Sequence, residues 1–213
     1  ELTAAGADAV MHPFLPDCIL ARDTGDVKSL PGFDEGYFYV QDAAARMAVM
    51  AAAPQPGMRI LDACSAPGGK SFAAAVMTGG RAEMIACDIG EKKLSRIEKS
   101  AARLGFSDII TTRAQDGSVF VPEWERSFDT VICDVPCSGL GVIRKKPDIR
   151  MKPFSEFERL PEIQLAILKN CARYVRPGGT LLYSTCTLRT EENEDVLTRF
   201  AAENADFSRQ NFT

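Results

Sequence analysis

"LDACSAPGGKS" (61–71) sets how the rest of the chain reads. The apolar run "RILDA" (59–63) ends in an acid, turns at Pro67, Gly68 and Gly69, and continues as helix-forming residues through Met77. This is a strand–turn–helix unit, in which glycine lets the backbone approach a ligand closely. Gly69-Lys70-Ser71 matches the end of a phosphate-binding loop, but Cys64 stands where such a loop carries its first glycine. That glycine lets backbone amides wrap the phosphates. Two ligands therefore compete for the turn. One is a triphosphate, with Asp134 at the end of "DTVICD" (129–134) as magnesium ligand. The other is a different molecule containing a nucleoside.

Outward from the loop, strands and helices alternate. "EMIACD" (83–88), "DIITTR" (108–113), "DTVICD" (129–134) and "TLLYST" (180–185) are expected strands. "EKKLSRIEKSAARLG" (91–105) is an expected helix, with Leu94, Ile97, Ala101 and Leu104 at helical spacing and Gly105 at its C-terminal end. Residues 157–175 hold a second helix, striped by Leu165, Leu168, Ala172 and Val175, and 190–204 a third with Thr190 as N-cap. Ahead of the loop, "DAAARMAVMAAA" (42–53) is a helix stopped by Pro54, Pro56 and Gly57, and "YFYV" (37–40) a short strand. The expected fold class is α/β, a Rossmann-like, mostly parallel twisted sheet with helices on both faces. Ligands of such sheets bind beyond the carboxyl ends of the strands, where Asp62, Asp88, Asp134 and Cys186 fall.

Bulk properties narrow the function. The 213 residues, 46% hydrophobic and 25% charged, suffice for one core and one main domain. No apolar run reaches the ~20 residues of a membrane span, and no basic-then-apolar leader opens the chain. The first residue is Glu1 rather than Met. Seven cysteines, an odd number with no paired two-residue spacing, argue against a disulfide framework or a metal site and for a reducing cytoplasm. Most of these cysteines are expected in the core. A net charge of −4 argues against a general nucleic-acid binder. The exception is "RKKPDIRMK" (144–152), where Arg144, Lys145, Lys146, Arg150 and Lys152 stand against Asp148 alone. His12 and Trp124 are expected to pack or lie at the surface rather than react.

An ordered series of acids favours the second ligand. Asp88 ends the second strand, 18 residues after Lys70, where a carboxylate accepts hydrogen bonds from ribose hydroxyls. Asp116, after the third strand, can meet an adenine amino group, and the Pro67-Gly68-Gly69 turn then faces the amino-acid end of S-adenosylmethionine. "DVPCSGLG" (134–141) and "YSTCTL" (183–188) follow the fourth and fifth strands, so adjacent parallel strands bring Cys137 and Cys186 to one cleft. Methylation of a pyrimidine at C5 needs such a thiol. A thiolate adds to C6 and makes C5 enamine-like, and cysteine ionises near neutrality. A nearby cation lowers its pKa further.

"GYFYVQDAAARM" (36–47), "LDACSAPGGK" (61–70), "ACDI" (86–89), "DVPCSGLGVIRKKPDIR" (134–150) and "YSTCTL" together resemble the RNA (cytosine-5) methyltransferases of the RsmB/Sun family. The resemblance covers about residues 33–200. "GVIRKKPDIR" is similar to the bacterial RsmB branch, which acts on small-subunit ribosomal RNA. It implies that Cys186 is the nucleophile and that Cys137 assists breakdown of the covalent adduct. It places Asp134 on the N3/N4 edge of the target cytosine, with Lys70 nearby. It assigns the S-adenosyl-L-methionine site to Cys64, Ser65, Ala66, Pro67, Gly68, Gly69, Lys70, Asp88, Asp116 and Asp134. The target base must be unstacked to enter such a pocket. Arg144, Lys145, Lys146 and Arg150 become candidate RNA phosphate contacts.

Family members of this kind carry a helical RNA-binding domain upstream and usually finish the sheet with an antiparallel strand pair. The expectation is a catalytic-domain fragment. Residues 1–40 form a lead-in or remnant of an upstream RNA-binding region, residues 41–213 the catalytic domain, and the terminal strand pair is missing. Ribosomal RNA is the expected partner, and no obligate protein partner is inferred. The alternatives are an NTPase with a degenerate phosphate loop and a non-catalytic relative that binds RNA or adenosine.

Overall fold

In the computed structural model, which describes residues 2–3 and 6–210, five strands make one parallel sheet. They are β3 (Arg59–Asp62), β4 (Glu83–Asp88), β5 (Ile110–Ala114), β6 (Phe128–Asp134) and β7 (Val175–Ser184), in the order β5-β4-β3-β6-β7. An apolar run such as "TVIC" suits a strand buried on both faces. Ile60, Ala86 and Ile132 point to one face, and Leu61, Cys87, Val131 and Cys133 to the other. Helices α1 (Ala43–Ala51), α2 (Gly69–Met77) and α3 (Glu91–Arg103) accompany the first face. Helix α4 (Leu160–Ala172) packs on the second through Ile167 and Cys171. Helix α5 (Glu194–Glu203) packs Val196 and Phe200 against Leu165, Leu168 and Ala172 of α4.

Strand order reverses beside β3. The chain steps outward through β4 and β5 on one side, then returns to lay β6 and β7 on the other. A crevice opens at such a switch point, beyond the carboxyl ends of the central strands. Asp62 and Asp134, the last residues of β3 and β6, border it.

Four local expectations change. Residues 37–40 form no strand. The Phe38 carbonyl accepts from the Arg103 guanidinium (3.1 Å) instead of pairing with a neighbouring strand, and the Tyr39 ring meets Phe72 edge-on at 5.7 Å. Upstream of it, β1 (Asp8–Met11) and β2 (Ile19–Arg22) form an antiparallel hairpin within the segment expected as a lead-in, where no strand pattern stands in the sequence. Strand β7 begins at Val175. A register shift opposite Phe128–Thr130 absorbs Pro177 and Gly178, the latter at φ +77°. Thr190 caps no α-helix. It opens a short 3-10 turn (Thr190–Glu192), and α5 follows Asn193, whose side chain donates to the Thr187 and Arg189 carbonyls instead.

Candidate functional site

The turn after β3 is held from below. The Ser65 backbone N–H and hydroxyl both donate to the Cys87 carbonyl of β4, at 2.7 and 2.9 Å. Gly68 caps α2 at φ +102°, and a Cβ there would lie 2.7 Å from the Phe72 ring. Only glycine fits both the conformation and the space. Gln41 reaches across from the start of α1 to donate to the Gly69 carbonyl at 2.8 Å. With Asp42, Ser65, Pro67, Lys70 and Asp134 it lines a cleft of ≈ 200 Å³.

Asp62 lies beneath this turn, fully buried, and accepts from the Ser71 hydroxyl at 2.6 Å. Burial pushes its carboxyl up to about 7; the Asp134 charge adds to the shift and the Ser71 hydroxyl opposes it. A raised native pKa means that the folded protein holds this proton where the unfolded chain releases it. The stabilisation is fully present below about pH 4 and is lost as pH rises through about 7. Asp62→Asn keeps an acceptor for Ser71. It is expected to raise Tm at pH 8 by roughly 5 °C, the gap closing towards pH 4 in circular-dichroism melts.

The acids of the series line up along the carboxyl edge. Asp88 closes β4, mostly buried. Its Oδ1 accepts from the Gly90 N–H (2.9 Å) and faces Lys93 Nζ (3.1 Å). Asp116 follows β5, and its Oδ1 accepts from the backbone N–H (2.8 Å) and hydroxyl (2.7 Å) of Ser118. Cys64 is half-buried, and burial pushes its thiol up. The residues fit S-adenosylmethionine by their donor set. A glycine cradle for close backbone approach, a buried carboxylate at the second strand tip and a second acid after the third strand follow one another from β3 to β5.

The other half of the crevice holds the reactive groups. Lys70 Nζ lies 2.7 Å from Asp134 Oδ2, with the lysine side chain only 13% exposed, and Asp134 Oδ1 accepts from the Ser184 hydroxyl at 2.8 Å. Cys137 and Cys186 meet with Sγ–Sγ 3.3 Å. That is well beyond the ~2.05 Å of a disulfide, so both are thiols in hydrogen-bond contact. The Cys186 backbone N–H also points at Cys137 Sγ, at 3.3 Å. The bond from Cys137 pulls the Cys186 thiol down to about 7, helped by Lys146 and Lys70 and opposed by burial and Asp134. The same bond, with burial, pushes the Cys137 thiol up. Of the two thiols, Cys186, which is exposed, is therefore the one that ionises more readily, while Cys137 keeps its proton. Burial pushes the thiol of Cys87 the other way, to about 12.

Close approach of the two cysteine loops explains the glycines between them. The Gly141 N–H donates to the Cys186 carbonyl at 3.0 Å, and a Cβ on Gly141 would lie 2.9 Å from that oxygen.

Behind the thiols lies a polar network that the sequence reading missed. Glu192 is fully buried and bonded to Ser138 N–H and Gln164. In sequence it looks like an ordinary acid of a first helical turn. The one local signal was Gln164, a polar residue in line with Leu168 and Ala172 on the buried side of α4.

Arg144, Lys145, Lys146, Arg150 and Lys152 are all exposed, on a segment anchored by buried Ile149. Lys145 pairs with Asp42 at the cleft, an exposed ion pair worth at most ~1 kcal/mol and open to exchange. Met151 and Phe154 are exposed beside them, with the Arg189 guanidinium 4.6 Å over the Phe154 ring. Among the described residues, no group of His, Cys, Asp and Glu could hold a metal ion. No described helix is long and apolar enough to cross a membrane.

A five-stranded parallel sheet with glycine turn, strand-tip acids and paired thiols is the arrangement of an S-adenosylmethionine-dependent methyltransferase, and comparison with known proteins agrees. Residues 49–213 match the family model described as 16S rRNA methyltransferase RsmB/F, and the chain belongs to that family. It is 37% identical over 208 residues to ribosomal RNA small subunit methyltransferase B of Klebsiella pneumoniae (strain 342), covering 96% of this chain and 47% of that relative. The chain thus spans about half the length of the curated relatives it matches. Among solved structures, PH0851 superposes with a TM-score of 0.89 at 29% identity, over 95% of this chain and 46% of that one. NSun6 from Pyrococcus horikoshii, solved with SFG, an S-adenosylmethionine analogue, gives 0.74 at 28% identity, over 84% of this chain and 45% of that one.

Proposed function

We propose that the protein transfers a methyl group from S-adenosylmethionine to C5 of a cytosine in small-subunit ribosomal RNA, through a covalent bond from Cys186 to C6. The observation that carries this reading is the thiol pair, 3.3 Å apart, beside the Lys70–Asp134 ion pair at the sheet's switch point. Residues 41–213 are the catalytic unit in this reading, and residues 1–40 a lead-in or the remnant of an upstream RNA-binding region. The relatives' names, which specify small-subunit ribosomal RNA, support the substrate.

S-adenosylmethionine, when bound, supplies the methyl group as an electrophile. Cys64 to Lys70, Asp88, Asp116 and Asp134 would hold it. Asp134, fixed by Ser184 and Lys70, presents a carboxylate to the N3/N4 edge of the cytosine. The Cys186 thiolate adds to C6, and the electron pair of the C5–C6 double bond makes C5 nucleophilic. Once C5 is methylated, its proton passes to water, the C5–H electron pair re-forms the double bond, and the Cys186–C6 bond breaks with its pair leaving on sulfur as the Cys186 thiolate. Cys137, a thiol 3.3 Å from Cys186 Sγ, assists that breakdown by donating a hydrogen bond to the departing thiolate.

The exposed cations of 144–152 contact phosphates near the unstacked target base. Arg150→Ala and Lys152→Ala are each expected to weaken RNA binding and reduce the log–log salt slope by about one in filter-binding titrations. To test the function, in-vitro transcribed small-subunit RNA is incubated with methyl-labelled S-adenosylmethionine. The expected product is 5-methylcytosine by nucleoside mass spectrometry. Calorimetric binding of ATP–magnesium without binding of S-adenosylmethionine would instead favour an NTPase.

A further inference from the structure

We infer that Glu192 is a positioning residue: its buried carboxylate fixes Cys137 against Cys186 by tying the two cysteine loops together. Glu192 Oε2 accepts from the Ser138 backbone N–H and from Gln164 Nε2, both at 2.9 Å. Gln164 also donates to the Pro136 carbonyl at 2.9 Å. The backbone is therefore held immediately before and immediately after Cys137. The same glutamate holds the other loop. Its Oε1 faces Arg189 at 3.5 Å, three residues beyond Cys186, and its carbonyl accepts from the Tyr183 hydroxyl at 2.6 Å, three residues before it. A bond between the Ser138 and Thr187 hydroxyls, 2.7 Å, closes the space between the loops.

Glu192 has no exposed surface and sits behind the crevice. A fully buried carboxylate costs several kcal/mol unless hydrogen bonds and an opposite charge compensate it. Here the Ser138 N–H and the Arg189 guanidinium belong to the two loops that carry the thiols, and Gln164 joins them from α4. The charged groups facing Cys186 are Asp134, Lys70 and Lys146, with Cys137 as its hydrogen-bond partner. Glu192 acts on Cys186 through the placement of Cys137.

The catalytic consequence rests on the two-thiol reading of the proposed function, and the test separates the two. It follows the pH dependence of iodoacetamide alkylation at Cys186, read by peptide mass spectrometry, which needs neither RNA nor activity. Cys137→Ala removes the hydrogen bond and is expected to raise the alkylation midpoint by about one pH unit or more. Glu192→Ala is expected to raise it as far, and the double variant no further. Glu192→Gln, whose amide oxygen accepts the same two hydrogen bonds, is expected to shift it less. If Glu192→Ala does not fold by circular dichroism, Gln164→Leu cuts the same carboxylate bond and the one to Pro136, and its midpoint is expected to rise. A wild-type midpoint in folded Glu192→Ala or Gln164→Leu, with Cys137→Ala shifted, would overturn the positioning role alone. So would additive shifts in the double variant. An unshifted Cys137→Ala would overturn the paired-thiol reading and the inference with it.

Discussion

Cys186→Ser is expected to lower methyl transfer by about 10³-fold or more, equivalent to about 4 kcal/mol or more of lost transition-state stabilisation. The hydroxyl that replaces the thiol stays protonated at any working pH, so nothing in the crevice adds to C6. Lys70 and Asp134 remain in place 2.7 Å apart, and the cleft beneath the turn is untouched. The affinity for S-adenosylmethionine, measured calorimetrically, is therefore expected to stay within about threefold of wild type. Loss of rate with retained cofactor binding separates a missing nucleophile from a damaged fold. In the wild type, adduct formation is expected to rise as pH rises through about 7 and then level off, because Cys186 ionises there.

Cys137→Ala is expected to do the opposite to the adduct: it accumulates. Two effects act together and pH separates them. Without the hydrogen bond from Cys137, the Cys186 thiol returns towards the ordinary range near 8.5, so at pH 7 only a few per cent is thiolate and adduct formation slows. At pH 9 that deficit disappears, and single-turnover adduct formation is expected within about threefold of wild type. Release is not restored by pH, because the group that assists it is gone. Repeated turnover is expected to stay about 10²-fold low, a typical size for loss of one proton-transfer group. Gel shifts under denaturing conditions with ordinary cytosine RNA read the accumulated complex. Equal rates of turnover in wild type and variant at pH 9 would remove Cys137 from the release step.

The chemistry at the strand tips was legible in the sequence because it is local. A strand, a glycine turn and a helix lie within 19 residues in "RILDACSAPGGKSFAAAVM", and Asp62, Asp88 and Asp134 each end a strand as expected. The meeting of Cys137 and Cys186 was also legible, since β6 and β7 are sheet neighbours and their loops must leave the same edge. Long-range anchoring was not. Glu192 sits among Glu191 and Glu194 in sequence, yet it turns into the protein while its neighbours face solvent. That choice is made by Ser138 and Gln164, 54 and 28 residues away. The hairpin of β1 and β2 was hidden for a different reason. Nearly all its residues are exposed, so no alternation of apolar and polar residues marks it. The aromatic run at 37–40 gave the opposite error, because aromatic residues favour strands but also pack onto helices, as Tyr39 does on Phe72 of α2.

The most direct measurement is the site of covalent attachment. RNA carrying 5-fluorocytosine at the target position blocks loss of the C5 substituent, so the adduct is held after methylation. The protein is incubated with this RNA and S-adenosylmethionine, denatured, digested with protease and nuclease, and sequenced by mass spectrometry. The expected result is a methylated fluorocytidine on the peptide that contains Cys186, absent in Cys186→Ser. Attachment at Cys137, surviving the change at Cys186, would contradict the assignment of the nucleophile.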